Sequence, residues 1–548
     1  MIMRYLKWFY RAVRPYRVAI AVMMLCHVLL AMCSIGFVYS CKRLVDIAVA
    51  SFEGAQVGNG LYLWSGMLIT VVLSRILLNS LRSYLQTKTE IRLKNRLRSS
   101  LFDTMLHLRR DGSDRHHTGD LLNRILEDVR VVSSVFAVSL PNLAGTILQF
   151  LAAFAFLLYL ELRLALVVVV LVPFGLLIGK FITGRIRSLT HNIRKSDSQV
   201  QSHLQESIQH LTLIQTLEYG ENSSSELEAL QTELYANELK RTIFSVFSRF
   251  FLAVAFSAGH TVAFLWGAYG ISRGTVTYGM MTAFLQLVGQ IQRPLVELSS
   301  QIPSVIHATA SIDRLMEIEA LPQEGNGETV LMKGTAGVRI EDVSFAYSGS
   351  SRDVLHDFSH DFLPGSRTAI VGPTGVGKST LIRILLSLLK PQKGTVSIYS
   401  AESGCMPVSA ATRCNLVYVP QGNSLFSGTI RENLYMGNPD ASESQLHEAL
   451  RLAAADFVFE LPSGLNTQCF EAGAGLSEGQ AQRIAIARAL LRPGSILLLD
   501  EFSSALDSAT ETLLMQRLTS ALSDHTMIFI THRDKLIDYC TDVLRLGC

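Results

Sequence analysis

Apolar positions are distributed in two ways along this chain. Up to about Ser300 they form long blocks, roughly 18–46, 61–82, 134–160, 162–184, 245–272 and 278–299. Each is near the ~20 residues that a helix needs to cross a ~30 Å hydrocarbon core. The first two blocks are joined by SFEGAQVGNG, which carries no Lys or Arg, the third and fourth by a tight turn at Glu161–Arg163, and the last two by SRGTVTYG. The other connections are long and basic: LRSYLQTKTEIRLKNRLRSSLFDTMLHLRR follows the second block, and GRIRSLTHNIRKSDSQ follows the fourth. Arg4, Lys7, Arg11, Arg14 and Arg17 precede the first block with no acid among them. Positive charge collects on the cytosolic side of membrane helices. The N-terminus, both long connections and the C-terminal half are therefore expected in the cytosol. A soluble core of buried helices would not combine near-full-length blocks with so consistent a charge bias.

After Ile302 the pattern changes. EIEALPQEGNGETVLMKG, with its Pro, Gly and acids, reads as a linker. Beyond it the short apolar runs RTAIV, LVYVP, SILLLD and TMIFIT alternate with helical stretches, as in a buried parallel sheet. The expected fold class is a membrane all-α six-helix domain followed by an α/β P-loop nucleotide domain. The expected boundaries are 1–302 for the first, 303–337 for the linker and 338–548 for the second.

Composition agrees: 49% of residues are hydrophobic and 17% charged, apolar-rich and charge-poor for a soluble protein. The net charge of +3 gives no nucleic-acid signature, and no nucleic-acid partner is expected. The basic aromatic N-terminus and the length of the apolar stretch Val18–Tyr39, with no small-residue cleavage site, argue against a cleaved secretory signal. The eight cysteines show no C-x-x-C or Cys/His ligand spacing. Cys26 and Cys33, on one helical face, read as small packed residues, and structural disulfides are not expected beside cytosolic ATP.

The chemistry starts at Gly372–Thr380, GPTGVGKST, which fits the phosphate-binding pattern G-x-x-x-x-G-K-[ST] between a strand and a helix. Gly372, Pro373, Thr374, Gly375, Val376, Gly377, Lys378, Ser379 and Thr380 would cradle phosphates with backbone N–H groups and the helix N-terminus. Lys378 would reach the β- and γ-phosphates, and the Ser379 hydroxyl would bind Mg²⁺. Asp500 ends the apolar run SILLLD, where a carboxylate can hold the metal, and Glu501 follows, placed to polarise an attacking water.

LSEGQAQRIAIARAL, Leu476–Leu490, resembles the signature LSGGQ of the ATP-binding cassette (ABC) proteins, with its Arg- and Ala-rich helix. Other segments fall in that family's order. The resemblance implies that Tyr347 in VSFAY stacks on adenine, that Gln421 in YVPQ contacts Mg²⁺ and faces the membrane domain, and that His532 in FITH contacts the γ-phosphate. It further implies that Ser504, Ala505, Leu506 and Asp507 form the loop crossing between two cassettes. ATP would be sandwiched between cassettes, the signature residues Leu476, Ser477, Glu478, Gly479 and Gln480 of one acting on the ATP held by Lys378 of the other. HTGDLLNRILEDV, His117–Val129, resembles the first cytoplasmic loop of exporters, and TQCFEAGAG the segment touching the membrane domain. Six spans before one cassette match a half-size exporter of the type I fold. The implied cofactors are ATP and Mg²⁺, and the implied catalytic residues Glu501, His532 and Lys378. The implied partner is a second half-transporter, a second copy in the leading reading. The implied location is the inner (plasma) membrane of a bacterium.

Two features depart from the family pattern. Glu478 stands where LSGGQ has its first glycine; turned inward it would repel a triphosphate, turned outward it would leave Ser477 and Gly479 to act. The chain also ends soon after His532, which leaves part of the cassette-closing surface in question. No peptidase domain precedes the first block, against exporters that cut a leader peptide.

For cargo, the sixth block carries Gln286, Gln290, Arg293 and Glu297 on one helical face. They read either as cavity lining or as gating and interhelical pairing. His260 reads either as lining the pathway or as hydrogen-bonded within the bundle, and Arg75 either as a structural charge partner or as a site for anionic cargo. The expected substrate is a lipid, hydrophobic or peptide-like molecule, exported or flipped across the bilayer by alternating access. The alternatives are one half of a heterodimeric exporter and an ATP-gated membrane regulator or channel.

Overall fold

The computed structural model describes residues 8, 10–54, 59–109, 118–325, 327–347, 352–470 and 475–547; within helices, the side chains at 118–119, 166–183, 252, 255, 295–296, 299–300, 302–303 and 534 are not described. The chain divides into two compact units, Met1–Phe102 with Gly119–Glu319, and Asp103–Thr118 with Ala320–Cys548.

The first unit is helical. Its long helices are α1 (Arg17–Phe52), α2 (Gly60–Leu106), α3 (Leu140–Leu160), α4 (Leu162–Gln209), α5 (Gly220–Ser272) and α6 (Tyr278–Glu319). Residues 118–139 form a further helical run, with π-helical turns at Arg124–Asp128 and Val135–Ser139, that leads into α3. α6 packs on α1, α3 and α5, and α4 pairs with α5. The shared core includes Val38, Leu157, Leu164, Ala263, Phe284, Leu287 and Ile291.

Four stretches among the described residues are long and apolar enough to cross a membrane: Tyr10–Phe52, Gly60–Leu106, Asp120–Leu160 and Gly220–Ser272. The fourth expected block lies on α4, where the side chains are not described. α6 forms as expected but does not qualify by composition, because Gln286, Gln290, Gln292 and Arg293 interrupt its apolar residues. α6 also continues past Ile302 to Glu319, into the segment expected to be linker. That extension has its own buried face, Ala308, Ser311, Ile312, Leu315 and Ile318, at the 3–4 residue spacing of a packed helix. Pro303 and the polar composition hid it.

The second unit carries two main sheets and a short antiparallel pair, β7 (Gly428–Thr429) with β8 (Gln468–Cys469). One is antiparallel, in the order β2–β1–β4–β5: β1 (Ala336–Phe345), β2 (Leu355–Phe362), β4 (Lys393–Ser400) and β5 (Gly404–Pro407). The other is parallel, in the order β11–β3–β10–β9–β6: β3 (Arg367–Val371), β6 (Leu416–Val419), β9 (Ile496–Asp500), β10 (Thr526–Ile530) and β11 (Asp542–Arg545). All five residues of β9 and of β10 are buried. A parallel sheet covered on both faces needs such continuous apolar runs, which is why ILLLD and TMIFI were readable as strands.

Candidate functional site

Ligands of open parallel sheets gather at the carboxyl ends of the strands. Here each candidate catalytic group follows the end of a different strand of the parallel sheet: the phosphate loop β3, Gln421 β6, Asp500 and Glu501 β9, and His532 β10.

The loop 372–377 leaves β3 and enters α7 (Lys378–Leu385). Gly375 and Gly377 have φ of +86° and +108°, values that glycine adopts without strain. A Cβ on Gly372 would lie 2.6 Å from the Leu546 carbonyl oxygen, and one on Gly377 2.8 Å from Val354 Cγ1. The glycines are thus fixed both by conformation and by close packing. Lys378, 7% exposed, donates to the Gly372 carbonyl at 2.6 Å and to that of Pro373 at 3.2 Å. Its Nζ lies 3.1 Å from His532 Nε2. Ser379, at the start of the helix, is exposed.

His532 Nε2 is 3.4 Å from Glu501 Oε1, and Glu501 Oε2 accepts from Gln421 Nε2 at 2.5 Å. A continuous polar chain therefore runs Lys378–His532–Glu501–Gln421. Glu501 has φ +45°, a left-handed conformation that costs a non-glycine residue on the order of 1 kcal/mol or more. It is held there by its N–H donating to Ile530 O at 3.0 Å and by Gln482 Nε2 donating to its carbonyl at 3.3 Å. The turn lifts the carboxylate off the strand end toward Gln421 and His532.

Asp500 is 6% exposed, with Tyr418 Oη 3.4 Å from its Oδ2. Burial raises the Asp500 carboxyl above its ordinary range, and the neighbouring Glu501 charge pushes the same way. The Tyr418 phenol is pushed up to about 12, first by burial and then by Asp500. A buried carboxylate, an exposed serine hydroxyl and the amide oxygen of Gln421 are the kinds of oxygen donor suited to Mg²⁺. Among the described residues no cluster of three or more His, Cys, Asp or Glu forms a protein-only metal cage.

Tyr347 Oη lies 3.0 Å from Thr380 Oγ1 and accepts from Arg383 at 3.4 Å. This ties the aromatic to the first turn of α7, beside the phosphate loop.

The signature opens α8 (Glu478–Leu490). Ser477 caps it: its hydroxyl accepts from the Gln480 N–H at 3.2 Å, while Gln480 Oε1 accepts from the Ser477 N–H at 2.9 Å. This reciprocal pair satisfies two otherwise unpaired donors. Gly479 packs onto the 504–507 loop so closely that a Cβ would meet the Ala505 carbonyl oxygen at 2.7 Å. Glu478 is exposed. The two positions that the family pattern fills with glycine thus differ in physical demand: packing requires glycine at 479 and leaves 478 room for a side chain.

Arg533 donates to the carbonyls of Ser504 and Leu506 and pairs with Glu511 at 3.1 Å. Asp507 caps α9 (Ser508–Ala521) by accepting from the N–H groups of Ala509 and Thr510. These bonds hold its carboxyl below its ordinary value, the Thr510 hydroxyl contributing most. Arg533, Tyr418 and Gln482 were not singled out from the sequence. Their only signal there is adjacency to motifs, because their partners are distant in the chain.

In the helical unit, the expected loop motif becomes a set of charge pairs with the α6 extension. Arg124 bonds Asp120 at 2.9 Å and Glu317 at 2.8 Å. Asp128, 2% exposed, accepts from Ser311 at 2.8 Å and from both nitrogens of the Arg314 fork. Ser311, Arg314 and Glu317, three apart on one helix face, were hidden within the presumed linker. His117 and residues 471–474 lie outside the described residues.

The polar face of α6 separates by role. Gln290 accepts from Ser34 Oγ at 2.9 Å, an interhelical pair. His260 bonds its own helix at Phe256 O, 3.1 Å. Arg293, paired with Glu297 at 3.1 Å, lines a cavity of about 770 Å³ in the helical unit. Gln286, Gln290 and His260 are not among the residues that line that cavity.

Residues 20–295 match the family model for the ABC transporter transmembrane region, and residues 355–504 match that for the ABC transporter. The chain is 30% identical over 443 residues to a fatty acid ABC transporter ATP-binding/permease protein of Mycobacterium bovis, covering 78% of this chain and 70% of that one. It is 27% identical over 514 residues to an ATP-dependent lipid A-core flippase of Colwellia psychrerythraea, covering 93% and 87%. Among solved structures, a bacterial Atm1-family ABC exporter with ATP bound aligns over 98% of this chain and 95% of that chain, with TM-score 0.80 and 25% identity.

Proposed function

The chain belongs to the ABC transporters, as an integral membrane exporter whose transport is coupled to ATP hydrolysis, and we propose that it works as a homodimer moving an amphiphilic cargo by alternating access. The observation that carries this reading is the convergence of Lys378, Gln421, Glu501 and His532 at one sheet edge, in a chain that also supplies long apolar helices. Two copies would supply two complete sites, each needing Ser477 and Gly479 from the other. The N-terminus and the cassette lie in the cytosol, and the membrane is a bacterial inner membrane.

Glu501 orients the attacking water, its carboxylate fixed between Gln421 and His532. Lys378 and His532 place positive or donor groups where charge develops on the transferred phosphoryl. Asp500, Ser379 and Gln421 would hold Mg²⁺, which neutralises phosphate charge when bound. Closure of two cassettes draws on the 504–507 loop, braced by Arg533, and on the Arg124 and Asp128 pairs that tie residues 118–128 to α6. Hydrolysis reopens the pair. The names of two relatives, a fatty acid transporter and a lipid A-core flippase, support a lipid among the lipid, hydrophobic and peptide-like cargo classes.

The test is ATP hydrolysis by the full chain alone in lipid nanodiscs, wild type beside Glu501→Gln. Turnover that disappears in the variant while ATP still binds supports a competent homodimer. Turnover preserved in the variant would overturn the role of Glu501, and none in either would overturn self-sufficiency.

A further inference from the structure

The helical unit contains a cavity of about 770 Å³ lined by α1, α2, α3 and α6. That volume lies within the range of ligand sites. Its charge is one-sided. Among the described residues Arg75, Arg82 and Arg293 line it, against one carboxylate, that of Glu297. Glu297 is engaged by Arg293 at 3.1 Å and by the Thr146 hydroxyl at 3.4 Å. Arg75 makes no hydrogen bond or ion pair among the described residues. Among the described residues Arg82 donates to the Asn79 side chain at 2.7 Å and feels the charge of Glu297, while its Nε is buried without a hydrogen-bond partner. His27, 6% exposed, also lines the cavity with Nε2 unpartnered. Gly145 makes room for this ring: any Cβ there would collide with the imidazole.

Depth matters as well. Arg75 and Arg293 each lie about 22 Å along their helices from Gly60 and Tyr278, at ~1.5 Å per residue. Counted from those helix starts, a ~30 Å hydrocarbon core would contain Arg75 and Arg293 and leave Arg82, about 33 Å along α2, at its border. Cations at that depth are costly unless paired or wet, and usually mark a ligand path. One carboxylate does not balance three guanidiniums. Arginine forks match phosphate and carboxylate oxygens in pairs. An opposite charge entering the cavity would meet exposed Arg75 and the unpartnered Nε of Arg82 on one wall.

We propose that this cavity takes the anionic headgroup of an amphiphile, so that the cargo is an acidic lipid-like molecule rather than a neutral or cationic one. This rests on the exporter reading and narrows its substrate class. The same chemistry could be offered by a free anion in water, and the apolar wall formed by Leu30, Phe37, Val72 and Ile76 favours the amphiphile.

The experiment measures binding to the full-length protein, independently of hydrolysis. Native mass spectrometry counts retained lipid on protein in detergent, with phosphatidic acid as the acidic probe and diacylglycerol of the same chains as the neutral one. Inorganic phosphate at millimolar concentration is the soluble competitor. The expected result is selective retention of phosphatidic acid, weakened about ten-fold or more in Arg75→Gln and Arg82→Gln, as for loss of a charged hydrogen bond. Arg75→Lys, which keeps the charge, should restore much of it and excludes misfolding as the cause. Equal retention of both lipids, or retention unchanged in the glutamine variants, would overturn the proposal. Displacement by millimolar phosphate would overturn the headgroup source in favour of a soluble anion. ATPase activity that still depends on Glu501 in any of these cases would leave the exporter reading standing.

Discussion

Replacing Gly479 by alanine tests whether the signature works by steric contact with the neighbouring loop. The added Cβ would lie 2.7 Å from the Ala505 carbonyl oxygen and 3.3 Å from Leu506 Cδ2. The first distance is below any real Cβ contact, and its partner is backbone, which cannot swing aside. Relief needs a displacement of about 0.5 Å between the start of α8 and the 504–507 loop, and overpacking of this kind costs about 1–3 kcal/mol. Alanine's helix propensity returns up to about 1 kcal/mol. The net destabilisation of the cassette is therefore small, a few degrees in melting temperature for a domain of this size. Function should suffer more. A misplacement of about 1 Å in a catalytic constellation can cost a hundred-fold, so half that distance should cost about ten-fold. The assay is ATPase activity in nanodiscs, read beside the thermal midpoint of the cassette. Glu478→Ala is the control. Its side chain is exposed, and it loses only a favourable charge at a helix N-terminus, about 0.3–1 kcal/mol. Its activity should stay within two- to three-fold of wild type, a change of well under 1 kcal/mol. Wild-type turnover in Gly479→Ala, or an equal loss in both variants, would refute the packing argument.

The pair between Asp128 and Arg314 gives a second prediction. Asp128 is buried while the Arg314 side chain is 46% exposed, so Arg314→Ala should destabilise the helical unit by ~2–3 kcal/mol, below the value for a fully buried pair. Asp128→Asn in the same background should recover part of that loss in a double-mutant cycle of thermal unfolding; additive effects would show no coupling. A third concerns pH. Burial lowers the imidazoles of His360 and His525 below the ordinary 6.5, against weaker opposing carboxylates, Asp542 and Asp361 for the first and Asp524 for the second. The unfolded chain then binds more protons, so this contribution to stability is complete above pH 6.5 and falls as pH drops below it. Cassette unfolding followed between pH 7.5 and 5.5 should show a shallower slope in His360→Gln and His525→Gln, and an unchanged slope in both would refute the assignment.

The residues that could be read from sequence alone are those whose physics is local. GPTGVGKST specifies a turn with glycines at positive φ followed by a helix start. ILLLD and TMIFI specify strands covered on both faces. Ser477 and Gln480, three apart, specify a capped helix. These patterns act within a few residues, so the chain order suffices to show them. The blocks of apolar residues likewise specify helices of membrane length without reference to any partner.

What required the tertiary structure is everything set by residues far apart in the chain. Lys378, Gln421, Glu501 and His532 become neighbours only because the strand order β11–β3–β10–β9–β6 differs from the chain order and places their loops on one edge. The α6 extension became visible as a helix through Asp128, whose buried carboxylate is held by the Ser311 hydroxyl and the Arg314 guanidinium. The different demands at Glu478 and Gly479 depend on the loop at 504–507 lying against one and not the other. The imbalance of charge around Arg75 arises because α2 and α6 bring three arginines and one glutamate to a common space. Propensity and periodicity describe what a segment prefers alone. Close packing and long-range pairing select which preferences survive and which side chains share a site.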